Sequence, residues 1–93
     1  MVKIVWTVFA IEDLQLIHDY IAKDSMTYAS RLIDKLIERM EQLKTFPKSG
    51  RVVPEFDNTA IRELIEGNYR IIYEIRADHI GIIRIHHAAR LLN

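Results

Sequence analysis

The spacing of the apolar residues changes along this chain, and that change does most to restrict its fold. From Ala29 to Leu43 the apolar residues recur at the i, i+3, i+4 and i+7 positions of a helix. From Ile61 onward they fall in short β-prone runs, and the Gly67-Asn68 pair between two such runs is a hairpin signal. A helical segment followed by consecutive strands predicts an α+β domain.

The predicted order of elements is β-α-α-β-β-β, in a single domain over residues 1–93. Residues 2–7 are β-branched and aromatic and predict a first strand, after which Thr7 can cap a first helix. A short connection at Asp24-Ser25 predicts an antiparallel helical hairpin, and Pro47 ends the second helix. A loop is predicted at residues 48–59, and strands at 61–65, 69–76 and 79–86. We expect the hairpin to pack on one face of a mainly antiparallel sheet of three or four strands.

The charge balance restricts the partners of the chain. Thirteen Lys and Arg residues offset thirteen Asp and Glu residues, so binding to nucleic acid or to an anionic membrane would need a local basic patch. The best such patch is Lys44, Lys48 and Arg51 around the Phe46-Pro47 loop, which is also typical of a solvated loop.

The composition excludes further classes of protein. The absence of cysteine excludes disulfides, thiolate zinc sites and a cysteine nucleophile, and it fits a reducing compartment. The sequence has no apolar run long enough to cross a bilayer, no signal-peptide layout, no metal-ligand spacing and no phosphate-binding glycine pattern. We therefore expect no metal, cofactor or membrane contact.

Alternation along the strands predicts which side chains lie on the sheet face that the helices leave open. That set consists of Arg62, Leu64, Arg70, Ile72, Ile80, Ile82, Arg84 and His86, with Arg90 just beyond the last strand. The simplest interpretation is that these are ordinary solvated positions of a half-exposed sheet. Contiguous apolar residues among them would instead mark a partner site.

Six short motifs run in order along nearly the whole chain. They are W-T-x-x-A-x-x-D-L at residues 6–14, Y-I-A-x-D-S at 20–25, F-P-x-x-G-R-x-V-P-E at 46–55, R-E-L at 62–64, Y-R-I-I-Y-E-I at 69–75 and I-x-H-x-A-R at 85–90. Together they resemble the RelE/ParE superfamily of bacterial toxins from type II toxin–antitoxin systems. The resemblance implies a small cytoplasmic toxin that a cognate antitoxin holds inactive by wrapping it with a helix or an extended segment.

The resemblance leaves two activities open. RelE-like members enter the ribosomal A site and cut mRNA, whereas ParE-like members poison DNA gyrase by binding it. Arg70 and Arg90 match arginines with which the nucleases stabilise charge on the phosphate. The chain lacks the Tyr or His-Tyr pair that follows the second arginine in those nucleases, and residues 61–66 carry two acids where they place lysines. His86 or His87 could supply an acid or a base, but neighbouring strand residues point to opposite faces, so at most one joins Arg70.

These differences favour a ParE-like toxin that binds DNA gyrase and makes no direct contact with DNA. The alternatives are a ribosome-dependent mRNA endonuclease and a non-toxic protein that only binds the antitoxin. The candidate target-binding residues are Arg51, Arg62, Arg70, Arg84 and Arg90, and the candidate antitoxin-binding residues are Leu64, Ile72, Ile80 and Ile82. Arg51 and Arg62 also have a structural interpretation, in which Arg51 clamps a carboxylate such as Glu55.

Overall fold

The computed structural model describes residues 2–88 and has the expected α+β architecture. Its elements are β1 (Lys3–Trp6), α1 (Val8–Ala22), α2 (Met26–Glu41), a 3-10 turn (Gln42–Lys44), β2 (Arg51–Val52), β3 (Ile61–Glu66), β4 (Tyr69–Ile75) and β5 (His79–His87). The sheet order is β1-β5-β4-β3-β2, with β1 parallel to β5 and the other pairs antiparallel. The predicted order and fold class are confirmed. The sheet has five strands because β2, inside the predicted loop, pairs with β3.

Threonine and serine side chains begin the two helices. The Thr7 hydroxyl accepts a hydrogen bond from the Ala10 N–H, and the Ser25 hydroxyl accepts one from the Tyr28 N–H. Thr7 also donates from its own hydroxyl to the Ile83 carbonyl, at 2.8 Å. The start of α1 is therefore fixed to β5 as well as capped. None of the helices within residues 2–88 combines the length and the hydrophobicity that a bilayer crossing requires.

The core lies between the helical hairpin and one face of the sheet, and a β-bulge decides which residues reach it. Ile72 lies opposite Arg84 in the pairing of β4 with β5, but Tyr73 lies opposite Ile82, so Ile83 is an extra residue in β5. The bulge interrupts the alternation along β5. As a result Ile82 and Ile85, three residues apart, both pack in the core beneath the helices.

The predicted exposure of Leu64, Ile72, Ile80 and Ile82 is wrong, because all four side chains are buried. Leu64 lies directly opposite Ile71 in the register and shares its helix-facing side. Ile80 and Ile82 precede the bulge and also face the helices. Ile72 pairs with Glu63 outside that helix-side cluster but is only 2% exposed. These residues therefore cannot supply the exposed apolar surface of a partner site.

Asp13 of α1 completes the edge of β5 where β1 stops. The last paired residue of β1 is Trp6, opposite Ile82. Beyond it, the Asp13 carboxylate accepts hydrogen bonds from the Ile85 backbone N–H at 2.9 Å and from the Arg84 guanidinium at 2.8 and 3.0 Å. Burial alone would raise the pKa of Asp13, but the hydrogen bonds from Arg84 and Ile85 and the positive charge of Arg84 hold that pKa below its ordinary value.

We predict that Asp13→Asn lowers the free energy of unfolding by about 1–2 kcal/mol at pH 7, because Arg84 loses its anionic partner and the amide NH2 replaces an oxygen that accepts a hydrogen bond. The folded-state pKa of Asp13 lies below the unfolded value, so its stabilisation is present above the unfolded pKa and is lost as the pH falls through the folded pKa. The difference between wild type and variant should therefore shrink toward pH 3. Urea unfolding at both pH values measures it, with Asp34→Asn on the exposed side of α2 as control. A difference that does not change with pH would contradict this role.

Candidate functional site

Arg70 lies at the centre of an ion-pair network on the sheet face opposite the helices. Its Nε donates a hydrogen bond to Glu63 Oε1 at 2.6 Å. Its two terminal nitrogens donate to the two oxygens of Glu55 at 2.8 and 2.9 Å, a bidentate arrangement. Glu63 also accepts a hydrogen bond from the Nε of Arg51 at 2.5 Å. We call these residues, Arg51, Glu55, Glu63 and Arg70, the Arg70 network.

The two guanidinium groups of the network differ sharply in exposure. The Arg70 side chain is 6% exposed and that of Glu63 is fully buried, whereas the Arg51 side chain is 64% exposed. The predicted clamp of Arg51 is therefore real, but its carboxylate belongs to Glu63, and Glu55 is held by Arg70 instead. The sequence could not predict which glutamate pairs with which arginine, because Glu55 and Arg70 approach each other only when the loop after β2 folds back on the sheet.

The network holds Arg70 charged and at the same time offsets its charge. The hydrogen bonds that Arg70 donates to Glu55 raise the pKa of Arg70 above its ordinary value, and Glu63 adds to this effect despite the opposing effect of burial. Two arginines and two glutamates leave the network with no formal charge. A phosphate group approaching Arg70 would meet the Glu55 and Glu63 carboxylates, which repel it. The arrangement is thus suited to fixing strands and loop rather than to binding an anion.

His86 and His87 lie on opposite faces of the sheet, as strand alternation predicts. His86 is directly opposite Arg70 in the register and is 6% exposed. His87 is opposite Tyr69, and their rings meet edge to face with centroids 5.8 Å apart. Only His86 therefore shares a face with Arg70. Within residues 2–88, no three His, Asp or Glu side chains come together in a way that could hold a metal ion.

The other predicted arginines have separate structural partners. Arg62 donates to the Gly50 carbonyl at 3.0 Å and to the Thr59 carbonyl at 3.1 Å, so it organises the loops on either side of β2. Arg84 pairs with Asp13, and its guanidinium lies 5.7 Å from the centre of the Phe9 ring. Arg90 lies outside the described residues. Of these arginines, Arg51 and Arg70 therefore share one ion-pair network, whereas Arg62 and Arg84 bind other parts of the structure.

An exposed apolar stripe on α1 is the feature that the predicted site residues do not include. Phe9, Leu16 and Tyr20 are 62%, 67% and 71% exposed. They fall within about 40° of one another around the helix at 3.6 residues per turn. A sequence signal for it exists: α1 carries more apolar residues than a single buried face can hold. We call these three residues the α1 stripe.

Comparisons with known proteins match this chain to toxins. The model of the ParE toxin of type II toxin–antitoxin systems (parDE) matches residues 4–92. A relative named Toxin RelE2, from Caulobacter vibrioides, is 36% identical over 92 residues, which cover 98% of this chain and 100% of the relative.

Solved structures show the same fold at lower identity. A chain of the chromosomal ParDE system from P. aeruginosa has a TM-score of 0.78 at 23% identity, with 94% of this chain and 96% of that chain covered. A YoeB/ParE toxin from Agrobacterium tumefaciens gives 0.61 at 16% identity, with 91% and 96% covered. A chain of the E. coli DinJ-YafQ complex gives 0.59 at 16% identity and covers both chains fully, at 100%.

We predict that Glu63→Gln and Arg51→Ala have very different effects on stability, although both remove the same ion pair. Glu63→Gln leaves the buried Arg70 short of a negative partner and should cost about 3 kcal/mol of unfolding free energy. Arg51→Ala removes an exposed partner and should cost less than about 1 kcal/mol. Urea unfolding at neutral pH compares them directly. Equal losses in the two variants would mean that the pair with Arg51, and not the burial of Arg70, fixes the network.

Proposed function

This chain belongs to the ParE toxin family of type II toxin–antitoxin systems, and we propose that it stops growth by binding DNA gyrase in the cytoplasm. The proposal assigns no covalent chemistry to the toxin. A cognate antitoxin neutralises it by covering an exposed surface. The main support for this proposal is that Arg70, on which a nuclease mechanism would depend, is already paired with Glu55 and Glu63.

Cleavage of RNA by its own 2′-hydroxyl needs a base, an acid and a cation that stabilises the charge developing on the phosphoryl group. Arg70 would be that cation, but its guanidinium is engaged by Glu55 and Glu63. Those carboxylates would have to leave before a phosphate could bind, and they would then stand buried beside it. Separating a buried guanidinium from its partners is costly, which supports a role for Arg70 in the fold.

A ribosome-dependent mRNA endonuclease remains the second candidate, and two observations favour it. His86 lies opposite Arg70 on the same face, where an imidazole could act as acid or base. The relative that is 36% identical carries the name Toxin RelE2. In this alternative Arg70 would exchange Glu55 for the scissile phosphate.

We predict that the purified toxin inhibits supercoiling by purified gyrase and leaves mRNA intact in a translation extract. His86→Gln should still arrest growth on induced expression, because binding needs no acid or base. The antitoxin-bound toxin is the control and should leave gyrase active. Cleavage of mRNA that disappears in His86→Gln would establish the nuclease instead, and growth unaffected by induction of the wild type would mean that the chain is not toxic.

The antitoxin, we propose, binds the α1 stripe. Large apolar side chains exposed side by side are characteristic of partner surfaces. The Arg84 guanidinium lies 5.7 Å from the centre of the Phe9 ring, and the Lys23 amine lies 5.8 Å from the centre of the Tyr20 ring. Asp13 and Asp19 line the same groove as Leu16 and Tyr20, so charges of both signs border the stripe. An amphipathic antitoxin segment with apolar residues at helical spacing would complement it. This position replaces the buried residues that sequence alternation assigned to the antitoxin.

We predict that Leu16→Ser weakens antitoxin binding by about tenfold or more, since a mostly exposed leucine gains its burial only in the complex. Its melting temperature should stay close to that of the wild type. Ile65→Ser is the matched control, because Ile65 is an exposed apolar residue of β3, away from α1. Isothermal titration with the purified antitoxin measures both. Equal affinity of wild type and Leu16→Ser would place the antitoxin elsewhere.

A further inference from the structure

The loop between α2 and β2 is a second exposed apolar surface, separate from the α1 stripe and the Arg70 network. Phe46 is 64% exposed, and Lys48 beside it is also exposed. A shallow groove lies along the loop and is lined by Thr45, Phe46, Pro47, Lys48 and Ser49. We call residues 45–50 the Phe46 loop. The segment from Lys44 to Arg51 has three basic residues and no acidic one, in a chain with no net charge.

A buried hydroxyl holds the backbone of this loop in place. The Tyr73 hydroxyl accepts a hydrogen bond from the Gly50 N–H at 2.9 Å and donates one to the Pro47 carbonyl at 2.8 Å. Tyr73 is fully buried, and burial raises its pKa, so the hydroxyl keeps the proton that it donates. Inside the loop the Ser49 N–H donates to the Phe46 carbonyl at 3.1 Å. Both sides of the loop are therefore fastened to β4.

Gly50 allows this attachment because it has no side chain. A Cβ at this position would lie 2.5 Å from the Glu63 carbonyl oxygen and 2.6 Å from the Tyr73 hydroxyl. The Glu63 carbonyl belongs to the backbone of β3, which pairs with a strand on each side and cannot move aside. Arg62 holds the Gly50 carbonyl from the other direction, at 3.0 Å. The loop is thus rigid where it meets the sheet and exposed at Phe46.

Rigidity and exposure together indicate recognition. Phe46 gains little for folding where it stands, since most of its surface stays in water. A partner that buries it would gain that hydrophobic free energy without the entropic cost of ordering the loop. Aromatic side chains presented in this way are frequent centres of binding energy in protein interfaces.

We propose that the Phe46 loop is the surface with which the toxin contacts its protein target, and that it receives an apolar side chain flanked by carboxylates. This inference rests on the proposed function, in which the toxin acts by binding a protein. Charge complementarity determines the chemistry of the partner, because Lys48 lies exposed beside Phe46. Lys44 is already paired with Glu41 and Arg51 with Glu63, so Lys48 supplies the positive charge that the loop offers to a partner.

A protein fits this loop better than an RNA. Two of the three basic residues of this segment, Lys44 and Arg51, are already paired with Glu41 and Glu63, so the segment offers a phosphate backbone little more than the charge of Lys48. The apolar groove beside Phe46 is suited to a side chain of a protein partner. Because the loop and the α1 stripe have no residue in common, substitutions in the loop should separate toxicity from antitoxin binding.

The test compares Phe46→Ala and Lys48→Glu with two matched controls, Phe56→Ala and Lys3→Glu. Phe56 is an aromatic residue of the next loop with 38% exposure, and Lys3 is an exposed lysine of β1. Each variant is assayed for growth arrest, inhibition of gyrase supercoiling, antitoxin affinity and melting temperature. We expect Phe46→Ala and Lys48→Glu to need at least tenfold more protein for inhibition, with antitoxin affinity and melting temperature unchanged. Both controls should arrest growth and inhibit gyrase at the same protein concentration as the wild type.

Several outcomes would overturn the inference. Phe46→Ala that arrests growth as the wild type does would remove the loop from the target surface. An equal loss of antitoxin affinity would assign the loop to the antitoxin. If wild type arrests growth without inhibiting gyrase, the gyrase proposal fails, and loss of arrest in Phe46→Ala but not in Phe56→Ala still supports the loop as a target contact. If that arrest instead accompanies mRNA cleavage that Phe46→Ala abolishes, a ribosomal partner replaces the protein target proposed here.

Discussion

The pairing of a buried guanidinium with two carboxylates is the constraint on which the rest of this molecule depends. Arg70 cannot stay charged beneath the surface unless Glu63 and Glu55 stay beside it. Glu63 comes from the neighbouring strand β3, and Glu55 comes from the loop that follows β2. One side chain therefore fixes the position of a strand and of a loop. The sheet face that might have bound phosphate is instead internally neutral.

With that face neutralised, the two surfaces proposed here for binding are both exposed and apolar. The α1 stripe lies on the helical hairpin, and the Phe46 loop follows the 3-10 turn at the end of α2. Both present aromatic side chains with lysine or arginine close by. Neither surface includes Arg70 or Arg90, the two arginines that the family resemblance identified as candidates. Proteins that share a fold can keep one core and change such surfaces, because loop and helix exteriors contribute little to packing.

The sequence predicted those features that depend on local spacing. The helical hairpin, the turn at Gly67-Asn68 and the order of the strands follow from periodicity and turn chemistry, and the structure has them. The bulge at Ile83 could not be found in this way, since one additional residue reverses the alternation without changing the composition of the strand. Arg84 and Asp13, which form an ion pair, are 71 residues apart in the sequence, so no local pattern could predict their contact. The excess of apolar residues on α1 was a usable signal for the exposed stripe.

The parallel pairing of β1 with β5 has a consequence for synthesis of the toxin. The first strand of the chain completes its hydrogen bonds only with the last strand that the structure describes, which lies between β1 and β4. A nascent chain whose β5 is still inside the ribosomal exit tunnel cannot close its sheet, because β5 is the strand that joins β1 to β4. The sheet, and the surfaces that are built on it, are therefore complete only after residues 79–87 have been made and have paired with β1.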